Sequence, residues 1–200
     1  MRRVQILPVL LAVLAVPAHA QARLHLLVGG TVSHHAQATN GLHPPPLLGS
    51  RQGLAVGIGG RRTLVGGLAI AAEAIYAVKG VQAKVGSAGL RQAWLELPVL
   101  LRHEFPVTGA VRPHLLAGPT LGWLVACDYS GGGAVEPCDE RYGEEESYHR
   151  LDAGIMLGAG LELRRLGVSV RYELGWRDIN RAPGFVSKNR TLFVLATLGL

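Results

Sequence analysis

The chain has 200 residues, room for one domain and not for two. Only 17% of them are charged while 27 are glycine, about twice the usual ~7% share, and mean hydropathy is positive, which excludes a disordered chain. The formal charge is +6, almost all from arginine, because Lys79, Lys84 and Lys188 are the only lysines; the basic residues are scattered, with no stripe of the kind that binds nucleic acid.

Met1-Arg2-Arg3 is a short basic start, followed by apolar residues 6–16 and then Pro17-Ala18-His19-Ala20. A charged start, an apolar centre and a small-x-small site predict a signal peptide over 1–20, cleaved after Ala20, with the mature domain at 21–200. Removing Arg2 and Arg3 leaves 18 basic against 14 acidic side chains, in an exported and oxidising compartment.

From Ala22 onward the hydrophobic period is two. Strands are predicted over 22–33, 51–60, 65–78, 90–105 and 112–127, then 151–164, 168–176 and 190–200. The clearest is the sixth. Leu151, Ala153, Ile155, Leu157, Ala159, Leu161 and Leu163 share one face, while Asp152, Gly154, Met156, Gly158, Gly160, Glu162 and Arg164 share the other. Across the turn at Arg165-Leu166, Val168, Val170, Tyr172, Leu174 and Trp176 continue the apolar face. Connections at 61–62, 106–111 and 165–166 are short; those at 34–50, 79–89, 128–148 and 178–189 are long.

Eight strands of about ten residues, with short turns at one end and long loops at the other, predict an all-β, antiparallel up-and-down transmembrane barrel. The short turns are periplasmic, the long loops extracellular, and both ends of the domain fall on the periplasmic side. A soluble periplasmic, lipocalin-like binding barrel is the rival fold. It would need an exterior rich in Lys, Ser, Thr and Gln, whereas here one face is Leu, Val, Ile, Tyr and Trp and the other is Gly with scattered charges.

Parity assigns Glu73, Glu96, Arg102, Glu104, Asp152, Glu162, Arg171, Glu173 and Arg177 to the lumen as a network of ion pairs. An eight-stranded interior is just filled by side chains, so mutual pairing is expected rather than an open pore. The same parity places Trp94 inward, predicts a bulge or bend near Pro98 and Pro119, and gives Trp123, Trp176, Tyr76 and Tyr172 interfacial or outward positions. It also predicts that Ile155→Arg blocks assembly far more than Met156→Arg.

Ser33-His34-His35, with His43, has the residue types of a nucleophile with its base, or of metal ligands. Neighbouring residues of a strand point to opposite faces, however, and no carboxylate follows in the loop to orient an imidazole. Asp128-x-Ser130-x-x-Gly133-x-x-Glu136 is a weak match to a calcium loop: Gly132 replaces a ligand, and position twelve is Asp139. No catalytic, cofactor or metal residue is assigned. The only cysteines, Cys127 and Cys138, bracket a Gly131-Gly132-Gly133 tip and are expected to form a disulfide. The segment 128–148 holds seven of the 14 acids (Asp128, Glu136, Asp139, Glu140, Glu144, Glu145 and Glu146) against one base, Arg141.

Leu95-Glu96-Leu97-Pro98-Val99-Leu100-Leu101-Arg102, followed by Arg112-Pro113-His114-Leu115-Leu116-Ala117-Gly118-Pro119, resembles the outer-membrane β-barrel ("porin family", PorT-like) domain of Bacteroidota. Asp152-x-Gly154 with Gly158-Ala159-Gly160-Leu161-Glu162 is similar to that family's glycine-rich sixth strand. The run from Arg171 to Ile179 and Lys188-Asn189-Arg190 are similar to its seventh strand and the start of its last. The resemblance spans about 90–200 and implies the barrel fold and the cell outer membrane; a gliding or secretion role known for one relative does not transfer on these motifs. Two departures stand out: Leu200 where such barrels usually end in an aromatic, and an aromatic content of 6%.

The function expected is a structural or surface-interaction role for a small outer-membrane barrel with a filled lumen, not an enzyme. The alternatives are a narrow diffusion pore, a lipid-modifying enzyme at the extracellular rim and the soluble barrel. Expected partners are outer-membrane lipid and lipopolysaccharide, the barrel-assembly machinery during biogenesis, and a surface partner reached through the acidic loop 128–148.

Overall fold

A computed structural model describes residues 23–39, 48–84, 86–142, 148–179 and 200 back to 185. The predicted signal peptide and His43 lie outside these residues. Eight long staves form the barrel: β1 (Arg23–Thr39), β2 (Leu48–Thr63), β3 (Leu68–Ala83), β4 (Gly89–Glu104), β5 (Val111–Gly131), β7 (Leu151–Leu163), β8 (Leu166–Gly175) and β9 (Phe185–Gly199). A short β6 (Ala134–Pro137) and a one-turn α1 (Cys138–Tyr142) form an arm between β5 and β7. Each stave pairs antiparallel with its neighbour, β1 with β9 and β4 with β5 among them, so the sheet closes on itself.

The parity read from sequence is the parity of the walls. On β7, Leu157, Leu161 and Leu163 are exposed on the outside while Asp152, Met156 and Glu162 are buried inside. Val28, Val56, Ile58, Leu115, Leu121, Val168 and Val194 continue the outward apolar surface around the barrel. Such a surface is stable facing acyl chains and unfavourable facing water, which removes the soluble alternative. Met156, inward as expected, is fully buried in an apolar layer with Leu27, Ile75, Leu100, Leu116, Phe193 and Leu195, so an arginine there would meet apolar side chains.

The staves run further than predicted at the extracellular end. β1 continues through His34 and His35, β3 through Lys79 to Ala83, β5 through Asp128, and β9 begins before Lys188. Crossing a bilayer takes about 9–11 residues of tilted strand. Beyond that, outward apolar side chains are no longer required, yet backbone pairing with the neighbour continues. The alternation fades while the ladder does not.

At the periplasmic end β2 extends to Thr63, and the β2–β3 turn closes by a hydrogen bond from the Leu64 amide to the Leu68 carbonyl (2.8 Å). Gly66 and Gly67, at φ 60° and 79°, supply left-handed backbone that other residues adopt only under strain. Around Pro98 and Pro119 the ladders to β3 and between β4 and β5 are interrupted, but register is kept. The registers break elsewhere: between Ser50 and Ala55, and where Val125 is extra opposite Ala93 and Trp94.

Candidate functional site

The lumen is closed by three groups of side chains. Near the periplasmic mouth, Arg61 grips Glu162 with both guanidinium nitrogens (2.6 and 3.0 Å), and Arg102 bonds the same carboxylate (2.6 Å). Glu104 accepts from Arg102 Nε (3.1 Å) and lies 3.3 Å from Arg61. Two arginines thus balance two glutamates. Further in, Arg171 bonds Glu73 through both terminal nitrogens, donates from Nε to Ser169 Oγ (3.1 Å), and His25 closes on Glu73 at 3.2 Å.

On β3, Ile75 and Ala77 separate Glu73 from Lys79 on the same inward face. Lys79 is wholly buried, and its Nζ donates to Glu96 (2.6 Å) and to Glu173 (2.5 Å). Glu96 also accepts from Thr120 (3.3 Å), and the rings of Trp94 and Phe193 stand 5.9 and 5.5 Å from the ammonium. Asp152 accepts from Asn189 Nδ2 and from the Ala153 amide, both at 2.8 Å. A buried charge is tolerable only when paired or well hydrogen-bonded: Lys79, Glu96 and Glu173 are ion-paired, and Asp152 is held by neutral donors.

Lys79 was assigned to a loop, yet it is the hub of the extracellular half of the network. Arg61, read as a turn residue, anchors the periplasmic half. Arg177, expected inside, is exposed beyond the end of β8. Eight of the nine residues assigned inward therefore line the lumen, together with two cations that were missed. Continuing the odd-numbered face of β3 from Glu73 through Ile75 and Ala77 would have found Lys79.

The extracellular mouth is capped. Ile179, in the connection after β8, is fully buried against Trp94 and Leu124, with Cys127 and Tyr148 alongside. Its amide donates to Ser187 O (2.9 Å) and its carbonyl accepts from the His149 amide (2.8 Å). Cys127 and Cys138 are joined by a disulfide, and Cys138 packs on Val81 and Leu90, tying the arm to the rim. A cavity of about 350 Å³ at the periplasmic mouth is lined by Arg23, His25, Arg61, Glu162, Arg164 and Arg165 among others; a second, of about 240 Å³, lies under the arm.

Ser33 faces inward, where its hydroxyl donates to backbone carbonyls of Arg51 and Gly80 and accepts from the Gly80 amide (2.8 Å). His34 is on the other side of the wall, and the inward His35 ring is tilted 56° to that of Tyr148, with centroids 6.3 Å apart. Asp128 and Ser130 pair in a hairpin with Pro137 and Val135 of β6 rather than wrapping around an ion, and Asp128 lies 3.4 Å from Arg91. Asp139 and Glu140 occupy the first turn of α1 and are exposed; Glu144, Glu145 and Glu146 lie outside the described residues.

A closed barrel of eight staves, apolar outside and ion-paired inside, is the architecture of a small integral outer-membrane protein. The chain belongs to the outer membrane protein beta-barrel domain family, whose model matches residues 19–181, and its place is the bacterial outer membrane. Among solved structures it is similar to Neisserial surface protein A, at 11% identity over 89% of this chain and 98% of that one, with a TM-score of 0.49. It is also similar to Ail, the attachment invasion locus protein of Yersinia pestis, solved with the heparin analogue sucrose octasulfate (13% identity, 90% and 99% covered, TM-score 0.45). The outer membrane enzyme PagL is a third (14% identity, 86% and 98% covered, TM-score 0.47). None of the three is similar enough to bring a function with it. No curated protein matches the chain.

Proposed function

We propose that the protein has a structural or surface-interaction role, acting through its outer wall and extracellular arm rather than as a pore or an enzyme. The observation that carries this reading is the obstruction of the lumen: Lys79 bridges Glu96 and Glu173 across the barrel, and Ile179 sits on Trp94 above them. Steady ion flow would require these buried contacts to separate. The non-enzymatic part rests on Ser33, whose hydroxyl is held by backbone groups while His34 points out of the opposite face.

The partners we propose are outer-membrane lipid and lipopolysaccharide, the barrel-assembly machinery during biogenesis, and a cationic partner or bridging divalent ions met by the acidic segment 128–148. The motifs between Leu95 and Arg190 support placing the chain among the PorT-like barrels of Bacteroidota. Planar-bilayer recording tests the closed lumen: the expected result is no steady conductance, and large stable channels would overturn it. A changed mass of lipid A in cells producing the protein would overturn the non-enzymatic reading. Unchanged crosslinked partners after Glu144→Gln, Glu145→Gln and Glu146→Gln together would remove the role of the acidic segment.

A further inference from the structure

Charges on the barrel wall are sorted by side. The carboxylates of the staves below the arm (Glu73, Glu96, Glu104, Asp152, Glu162 and Glu173) all face the lumen. Cations also face outward, and two of them, Lys188 and Arg190, do so two residues apart on β9, near the extracellular end. That spacing is about 7 Å along a strand, so one phosphate can be shared between them.

Register fixes what surrounds this pair. Arg190 lies across from His34 on β1 and from Leu174 on β8; Lys188 lies across from Ala36. Trp176 (57% exposed) and Arg177 follow immediately at the end of β8, on the same edge. Arg190 Nη1 donates to the carbonyls of Gly175 (2.7 Å) and Asn189 (3.1 Å), which hold the guanidinium against the wall with other donors left over. Lys188 has no salt bridge among the described residues. Toward the bilayer centre the outward residues of the same three staves are Leu192, Val194, Tyr172 and Val32.

A lipid-facing arginine or lysine is expensive at the midplane and nearly free at the interface, so Lys188 and Arg190 mark the level where headgroups begin. An exposed tryptophan beside them is the residue type that settles at that boundary. The surface is therefore amphiphilic in a defined order: cations and an indole above, a smooth aliphatic wall below. Its complement is a molecule with phosphate at one end and acyl chains at the other, and the long-loop end of the barrel meets the outer leaflet, where the glycolipid is lipid A.

We infer that Lys188 and Arg190, flanked by Trp176 and Arg177, form a binding site for the phosphorylated headgroup of an outer-leaflet glycolipid of the lipid A type, whose acyl chains lie on the wall made by β1, β9 and β8. This deepens the surface role proposed above. Its test reads lipid retention, whereas that reading is tested by conductance, so either can fail alone.

The test is native mass spectrometry of the folded full-length protein in detergent, with purified lipid A, enzymatically dephosphorylated lipid A or phosphatidylglycerol added in separate arms. Lipid A is expected to stay bound, and the dephosphorylated form to be lost. Each cation removed should weaken retention about fivefold, so Lys188→Gln alone lowers it about fivefold and Lys188→Gln/Arg190→Gln about 25-fold. The single variant serves if the double fails to show the heat-dependent gel shift of a folded barrel. Retention unchanged by Lys188→Gln, or equal for the dephosphorylated lipid, would overturn the site; phosphatidylglycerol held as tightly as lipid A would overturn the glycolipid as its occupant.

Discussion

Lys79→Met isolates the central ion pair with little change in packing, because methionine keeps most of the aliphatic stem. The Lys79 ammonium and the Glu96 carboxylate are at 0% side-chain exposure and Glu173 at 2%, with contacts of 2.6 and 2.5 Å. Removing the cation leaves two buried carboxylates facing each other across the lumen, beneath two aromatic rings that had faced the ammonium. Removing one partner of a buried pair typically costs about 3–5 kcal/mol, most of it the penalty of stranding the other charge. The volume-conserving swap itself adds less than about 1.5 kcal/mol. The expected destabilisation is therefore about 3–5 kcal/mol. It is measured by equilibrium urea unfolding of the barrel folded in lipid vesicles, followed by tryptophan emission, to which the buried Trp94 beside Lys79 contributes. The triple variant Lys79→Met/Glu96→Gln/Glu173→Gln carries no stranded charge and should recover most of the loss. A single-variant loss below about 1 kcal/mol, or a triple variant no more stable than the single, would refute the pairing argument.

Leu157, 46% exposed in the middle of β7, faces acyl chains, so Leu157→Arg should cost about 2–4 kcal/mol and reduce the folded fraction on a heat-shift gel. Val135→Arg, at a more exposed position on β6 in the arm, should be tolerated, and equal effects would contradict the assigned membrane level. Met156→Arg should also impair folding, since it places an unpaired cation in the apolar layer around Phe193; full tolerance would show that layer to be open to water. Cys127→Ser/Cys138→Ser removes a link closing 11 residues, worth about 3 kcal/mol in the chain-entropy model, and should speed proteolysis within the arm while the staves stay intact. Peptide mapping of non-reduced native protein that finds both thiols free would remove the bridge. Gly118→Ala would drive a Cβ into the Val99 carbonyl on the neighbouring stave, backbone that cannot rotate aside, and should cost about 1–3 kcal/mol of unfolding free energy; no change would show that the walls shift freely.

Much of this barrel is legible along the chain because each stave meets two solvents. Acyl chains favour apolar residues, mostly Leu, Val and Ile, at alternate positions of β7 and β8, and the enclosed face accepts Gly, Asp, Glu and Arg, so period two reads directly as outside and inside. The inward assignment of Glu73, Glu96, Arg102, Glu104, Asp152, Glu162, Arg171 and Glu173 follows from that same parity. So does the burial of Trp94. Tertiary structure decided what parity cannot carry. Parity says which face a residue takes, but ion-pair partners are set by stagger between staves far apart in sequence, and Arg61 meets Glu162 across a separation of 101 residues. The extracellular extensions also escaped, because above the bilayer backbone pairing continues without an apolar outer face. That is why Lys79 and the two histidines read as loop; Arg177 read as lumen because parity was carried past Gly175, where β8 ends. Ile179 had no local signal at all: a lone apolar residue in a connection becomes the cap only when the chain folds it back over Trp94.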